Sequence, residues 1–514
     1  MKQHLLAYFI LVSFSSNILA QVEQTPTPNW RPVYHFTPLK NWTNDPNGLI
    51  YLDGVYHLYN QQNPFENKWG HMSWGHAISK DLVHWQHLPI AIPEAIDKDT
   101  TWRFSGCAVW DKNNTSGFCK KGGCIVAVYT ADQPNLKKES QYIAYSNDAG
   151  MTFTNYALNP VIDLQKKDFR DPNVSWNEEL KKWLMVVALP TDHAVRFYAS
   201  DNLKQWQLLS EFGDAGYRDA AWECPTLMQL HENENPKKKK WVLIVSAAGA
   251  KRGVFMQYFT GQFEGGKFKN DNPADTVLTV DYGDCLYAAI PWNNVAGDRK
   301  ILIGWMVPGI QGTYPWKGQM SIPRDLSLVE TTRGIRLSQK PASVIENSLS
   351  KLSGNRVTQM KNVKIIKELS IGQKTVQGSA YWLDAELVCE PGTTAGFRIA
   401  EKKGKANISL PEVEIGYDAA KHQLYFDRSG SGTEKIKKEN LRQTIDLQGQ
   451  TNKVRLVILF DKSSVEVFVN NGEKVWTTYI YPNADANGLS AFSIGGNALI
   501  KSLTIWDLSQ QENN

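Results

Sequence analysis

Long amphipathic helical patterns are nearly absent from this chain, and short segments rich in Val, Ile, Tyr, Trp and Phe take their place. "GVYHLYNQQNP", "CIVAVYTA", "KKWLMVVALP", "WVLIVSAAG" and "KILIGWMVPG" are each bounded by Gly, Asn, Asp or Pro. Apolar runs of this length between turn formers are strands, so the chain reads as all-β. A weak internal repeat narrows the choice. "SKDLVHW", "SNDAGMTF" and "SDNLKQW", starting at Ser79, Ser146 and Ser200, each place a Ser before an Asp turn and then an aromatic. That spacing suits a four-stranded blade, and residues 29–340 then supply enough chain for a five-bladed β-propeller.

After "RLSQKPASVIE" the pattern changes. "YWLDAELV", "HQLYFDRS", "KVRLVILFD" and "SSVEVFVNNG" alternate apolar with polar residues and end on Gly- or Asn-rich turns. Such alternation implies antiparallel sheets with one wet face, hence a C-terminal β-sandwich over residues 350–511. The boundary falls between residues 340 and 355.

At the other end, Lys2 precedes an apolar run from Leu5 to Val12, and "NILAQ" follows a Ser-rich stretch. Residues 1–20 therefore read as a signal peptide cut after Ala20, which directs the protein to the periplasm or beyond the cell. No later run reaches the ~18 apolar residues of a membrane span. A net charge of +4 on 514 residues leaves no electrostatic footprint for nucleic acid. The tetralysine Lys237 to Lys240 is expected to be a solvated loop.

Export permits disulfides, and Cys119 and Cys124 in "CKKGGC" are placed to close a short loop. Without a second Cys or His pair nearby they do not form a zinc knuckle. Cys107, Cys224, Cys285 and Cys389 lie in apolar contexts and read as buried thiols. His71 and His76 have an odd separation, which on one strand puts them on opposite faces. With His84 and His87 they are expected to be structural, and neither a metal nor another cofactor is required.

Three acids share a local setting: Asp45 in "TNDPNG", Asp171 in "FRDPNV" and Glu223 in "AWECPT". Each stands beside a strand-like run and is followed by Pro at one or two positions. An Asp-Pro pair alone is a common turn. In a propeller, however, equivalent ends of the innermost strands converge on the axis, so acids from different blades can meet. Trp42, Trp69, Trp74, Trp102, Trp222 and Trp305 flank these turns and acids. Sugars offer C–H faces to indoles and hydroxyls to carboxylates, amides and Arg. Many of the Trp are expected only to fill the core between blades.

Taken in order, "NWTNDPNG", "NQQNPFENKWGHMSWGHAISKDLVHW", "FSGCAV", "FRDPNV" and "WECP" resemble glycoside hydrolase family 32. Its members are fructan hydrolases, invertases and fructosyltransferases, and "SSVEVFVNNGEKVWTTYIYP" is similar to the family's C-terminal sandwich. The resemblance implies that Asp45 is a nucleophile, Glu223 an acid/base, and Asp171 a stabiliser of the transition state that holds sugar hydroxyls. It also implies a fructosyl pocket lined by Asn44, Gln61, Trp69, Ser105, Arg170 and Trp305.

A fructofuranoside departs through an oxocarbenium-like state, so one group protonates the leaving oxygen and the other shields the cation. In a retaining pair these carboxyls lie ~5–5.5 Å apart. Trp222 and neighbouring carboxylates are expected to keep the proton on Glu223, and Arg170 to restrain Asp171. Thr43 replaces a usual Met, and "VPGIQGTYPWKGQM" lacks the Ser-Asn-Trp of many exo-acting relatives. Asp45 within "NDPNG" favours exo action. The expected activity is release of fructose from levan, inulin or sucrose. An endo-levanase, an invertase and a non-catalytic fructan-binding protein are the alternatives.

Overall fold

The computed structural model describes residues 30–509, apart from 97–99, 309–312, 372–378, 404–408, 432–439 and a few other short stretches. The expected signal peptide at residues 1–20 and part of "VPGIQGTYPWKGQM" lie outside the described residues.

Up to Pro341 the chain forms five successive antiparallel sheets. Their first strands are Asn41–Leu52, Trp102–Asp111, Arg170–Asn177, Ala221–His231 and Leu286–Pro291. These five touch one another in cyclic order, and the fifth returns to the first. Two pieces of the fifth segment fasten the ring. Trp316–Lys317 pairs in parallel with Asn41 and Trp42, and Asn293 bridges to Ile50. The architecture is a β-propeller.

Each blade is clamped between two others, which explains the continuous apolar runs in its second strand. In Lys182–Leu189, Met185 and Val187 pack with Val126 and Val128 of the preceding sheet. Leu184 and Val186 pack with Leu243 and Val245 of the next. Neither face meets water, so the strand does not alternate.

The Ser/Asp/aromatic repeat marks the turn from the third to the fourth strand. Ser79 Oγ accepts from Leu82 N at 2.8 Å and Ser146 Oγ from Gly150 N at 2.8 Å. Asp81 and Asp148 accept further backbone N–H groups. In the third copy Asn202 takes this role instead of an Asp, accepting from Lys204 and Gln205. The shared requirement is a short side-chain acceptor that closes the turn.

Helix Ser343–Leu349 leads to two six-stranded sheets enclosing an apolar core, which includes Leu383, Phe397, Ile415 and Ile458. The expectation of one wet face fails for Ser464–Val469, where every residue is buried. The outer side of that sheet lies against the propeller: Leu459, Phe468 and Val475 share a cluster with Ile290, Trp292 and Ile301.

Buried charges cross the same seam. Asp461 accepts from the backbone of Val33, Tyr34 and His35, and its carboxylate meets His35 Nδ1 at 2.8 Å. Glu466 meets His35 Nε2 at 2.9 Å and pairs with Arg324. Arg324 also pairs with Asp281 at 2.9 Å.

Cys119 and Cys124 form the disulfide, and the other four thiols are buried. In the tetralysine, Lys237, Lys238 and Lys239 are exposed, but Lys239 and Lys240 begin the strand Lys239–Gly249 and pair with Asp298 and Asp271 at 2.7 and 2.5 Å. The stretch is therefore only partly a free loop.

Candidate active site

All five inner strands carry a β-bulge at the same height. The register slips between Thr43 and Pro46, Arg103 and Gly106, Arg170 and Asn173, Glu223 and Thr226, and Tyr287 and Ile290. A bulge leaves an extra residue unpaired and re-aims the side chains around it. It also tolerates a residue with no N–H to give, which accounts for Pro172 and Pro225 inside two bulges and Pro46 at the edge of a third. The prolines after the acids are thus signs of the bulge.

Equivalent bulge positions in adjacent blades lie side by side, and the site is built from these rows. Just before the bulge stand Arg170, Glu223 and Tyr287. Arg170 Nε and Nη2 donate to Glu223 Oε1 at 3.0 and 2.9 Å, and the Tyr287 hydroxyl donates to Glu223 Oε2.

At the first bulged position stand Asp171, Cys224 and Ala288, all with positive φ (66°, 47° and 52°). This backbone is costly for residues other than Gly and is held by its surroundings. Asp171 N donates to Thr130 Oγ1 at 2.9 Å, and Cys224 N donates to Asp171 Oδ2 at 2.9 Å. At the second position stand Asp45 and Ser105, and Ser105 Oγ donates to Asp45 Oδ2 at 2.6 Å.

The rows are stitched together by Cys224, whose Sγ lies 3.6 Å from Asp45 Oδ2 and 3.5 Å from Asp171 Oδ2. Burial and the surrounding carboxylates push this thiol well above its ordinary range, so it keeps its proton as a weak donor. Asn44 Nδ2 donates to Asp45 Oδ1 at 3.2 Å, and Asn44 Oδ1 is itself fixed by Trp42 Nε1 at 2.8 Å. Gln61 Nε2 donates to Ser105 Oγ at 3.1 Å.

Burial pushes the Asp45 carboxyl up; the Ser105 bond opposes this and repulsion from Glu223 adds to it. Burial also pushes Asp171 up, against the pull of Arg170 and with the help of Glu223 and Asp45. Three carboxyls this close repel one another's charge, so the cluster favours holding a proton among them.

The acids open into one cavity of about 500 Å³, lined by Asn44, Asp45, Gln61, Ser105, Arg170, Asp171, Glu223 and Tyr287. Trp69, Trp102, Phe104 and Trp305 form its aromatic side. Trp69 is 51% exposed and meets Trp102 edge-on at 5.3 Å, leaving an indole face to solvent. A smaller cavity, about 260 Å³, opens at the other end of the inner strands around Asn173, Thr226 and Asn293. Its acids Glu178, Glu179 and Asp298 are all exposed, so it does not hold a buried carboxyl cluster.

Every residue the sequence proposed for the pocket lines this cavity, but two roles change. Trp222 is fully buried between blades and donates to Tyr217 O at 2.8 Å; it follows the strand's alternation away from Glu223. Trp74 is core, as expected of many of these Trp. Arg170 bonds Glu223, Glu139 and Asp168, not Asp171, because its neighbour along the row is Glu223. Tyr287 and Glu139 were not legible in the sequence. Tyr287 sits in "DCLYAAIP" with no motif around it, and only its bulge register reveals the equivalence with Arg170 and Glu223.

His71 lies outside the strand that carries His76 and meets Glu94 at 3.0 Å, while His76 stacks on His57. Among the described residues, one group with metal-ligating spacing is found, Asp111 with Cys119 and Cys124, and its two sulfurs are consumed by the disulfide.

A ring of blades that presents clustered carboxyls, amide donors and open indole faces in one polar cavity is the arrangement of a glycoside hydrolase. Comparison with known proteins gives the family. The N-terminal domain of glycosyl hydrolases family 32 matches residues 35–341, and the family's C-terminal domain matches residues 349–507. The chain belongs to glycosyl hydrolase family 32.

It is similar to the levanase of Bacillus subtilis (strain 168), 43% identical over 500 residues, covering 94% of this chain and 71% of the relative. The extracellular exo-inulinase of Aspergillus awamori is 37% identical over 506 residues, covering 91% and 92%. The crystal structure of exo-inulinase from that organism superposes with a TM-score of 0.83 at 35% identity, covering 93% of this chain and 98% of the other.

Proposed function

We propose that the protein is an exported, exo-acting β-fructosidase that releases fructose from levan, inulin or sucrose with retention of configuration. The observation that carries the reading is the contrast between two carboxyls in one cavity. Asp45 is held by neutral donors, Ser105 and Asn44. Glu223 is held by Arg170 and by a tyrosine that burial keeps protonated. Paired carboxyls in unlike environments take unlike roles.

Asp45 attacks the anomeric carbon of the fructosyl unit while Glu223 gives its proton to the departing oxygen, leaving a fructosyl ester on Asp45. The charge on Asp45 is then gone. Glu223 takes a proton from water, which attacks the same carbon and frees Asp45. Asp171, locked by Cys224 N, binds ring hydroxyls and stabilises the cationic transition state. Trp69 and Trp305 supply apolar faces to the sugar. The relatives named levanase and exo-inulinase support the substrate class, and the leader-like residues 1–20 support export. Among the described residues no helix is long and apolar enough to cross a membrane.

The test is Glu223→Ala. Its first step should be slow on sucrose and far less impaired on an aryl fructoside whose leaving group needs little protonation. Azide should then restore turnover and give a β-fructosyl azide, since two displacements preserve configuration. Equal slowness on both substrates, unmoved by azide, would sink the acid/base assignment. An azide adduct of inverted configuration would sink the assignment of Asp45. Early products from levan and inulin decide exo action: fructose alone is expected, and a ladder of oligomers would overturn it.

A further inference from the structure

We propose that Glu139 is a positioning residue for the reaction: it clamps Arg170 from behind and so sets how strongly Arg170 bears on Glu223. Glu139 lies on strand Lys138–Ser146, the third strand of the second blade, and is 5% exposed. Its carboxylate accepts from Arg170 Nη1 at 3.0 and 3.1 Å and from Phe169 N at 2.7 Å. Arg170 thus turns one edge, Nε and Nη2, toward Glu223 and gives Nη1 to Glu139 and to Asp168 at 3.0 Å. A guanidinium is a rigid planar fork, so fixing Nη1 fixes the direction of the other two donors.

The clamp is built to hold. Phe169 is fully buried, and its carbonyl accepts from Gln141 Nε2 at 2.7 Å. Gln141 Oε1 in turn accepts from Thr130 Oγ1, the same hydroxyl that receives Asp171 N. Glu139 therefore holds Phe169 and Arg170 through one side chain, and Gln141 on the same strand links Phe169 to the hydroxyl that receives Asp171 N. A surface ion pair would contribute little here; a buried, multiply bonded one fixes geometry.

The clamp is also a charge control. The charged groups around Glu139 are Arg170 and Asp168, Asp132 across one strand pair, Lys166 across the other, and Lys167. Burial pushes Glu139 up to about 7, against the pull of Arg170. Above that pH its negative charge partly cancels Arg170 as seen from Glu223 and repels a second negative charge there.

The inference rests on Glu223 as acid/base, and the experiment separates the two. The kcat–pH profile is measured on sucrose and on an aryl fructoside for wild type, Glu139→Gln and Glu139→Asp. Glu139→Gln should lose ~10-fold or more in kcat on sucrose, with KM within about threefold of wild type. Its alkaline limb should move to lower pH by about half a unit or more, because the cancelling charge is gone. The loss on the aryl fructoside should be small, and Glu139→Asp should recover part of the sucrose rate and part of the limb shift.

An unshifted alkaline limb with equal losses on both substrates would overturn the proposal and leave Glu139 a packing residue. If Glu139→Gln does not fold, Glu139→Asp carries the test through the rate: its shorter carboxylate cannot keep all three bonds, and wild-type kcat on sucrose in it is equally fatal. Failure of the acid/base reading itself would show in Glu223→Ala, independently of either variant.

Discussion

Ser105 Oγ donates to Asp45 Oδ2 at 2.6 Å across the gap between the first and second blades, and the two residues hold the same bulge position. The bond sets the orientation of Asp45, and the site's rows begin with it. Asp45→Asn should abolish nearly all turnover while leaving the melting temperature and sucrose binding close to wild type. Ser105→Ala should keep the nucleophile but lose about tenfold in kcat, worth ~1.4 kcal/mol. Kinetics and calorimetry on the two purified variants check both, and wild-type turnover in Asp45→Asn would falsify the nucleophile assignment.

Asp171 should prove transition-state specific. Asp171→Asn keeps an oxygen for Cys224 N, so the strained backbone remains anchored. The charge that meets a flattening, cationic ring is gone, and kcat should fall by ~3 kcal/mol or more with a modest change in KM. A rise in KM alone would make Asp171 an ordinary binding residue.

Tyr287→Phe deletes one hydroxyl from a nearly buried ring and leaves Glu223 Oε2 without its donor. The expected result is a tenfold or greater drop in kcat on sucrose, ~1.4 kcal/mol, with little loss on an aryl fructoside. Comparable losses on the two substrates would separate Tyr287 from proton transfer.

Stability should fall on both sides of neutrality for different reasons. Burial disfavours the charged form of His35, but its bonds to Asp461 and Glu466 outweigh this and push it up to about 9. Its contribution is complete below the unfolded value near 6.5 and is lost as pH rises toward 9, at up to ~1.4 kcal/mol per pH unit. His57 and His76 are pushed down by burial to about 4 and about 3. The unfolded chain takes up their protons first, so acidification from about 6.5 downward also destabilises. Urea unfolding at a series of pH values reads both slopes, and His35→Gln should flatten the alkaline one. An unchanged alkaline slope in that variant would rule out His35 as its source.

Extended dialysis against a chelator should leave turnover unchanged, since two carboxyls and water complete the proposed chemistry. Loss of activity restored by calcium or zinc would contradict it.

The sequence by itself determined the elements and the acids. Apolar runs between turn formers dictate strands whatever their partners, and the Ser/Asp/aromatic turns close locally through short side-chain acceptors such as Ser79 and Asp81. Asp45, Asp171 and Glu223 were legible because a bulge tolerates Pro, which the sequence displays beside each of the three, and because the motifs around them resemble the family's. What only the tertiary structure decided is which residues of different blades meet. Arg170 binds Glu223 rather than its neighbour in sequence, Trp222 turns into the core beside the residue it was expected to serve, and Tyr287 and Glu139 join the site without a motif. The reason is physical: side-chain direction within a strand follows local alternation, but contacts across blades depend on bulge register, and register is fixed only when all five sheets close into a ring.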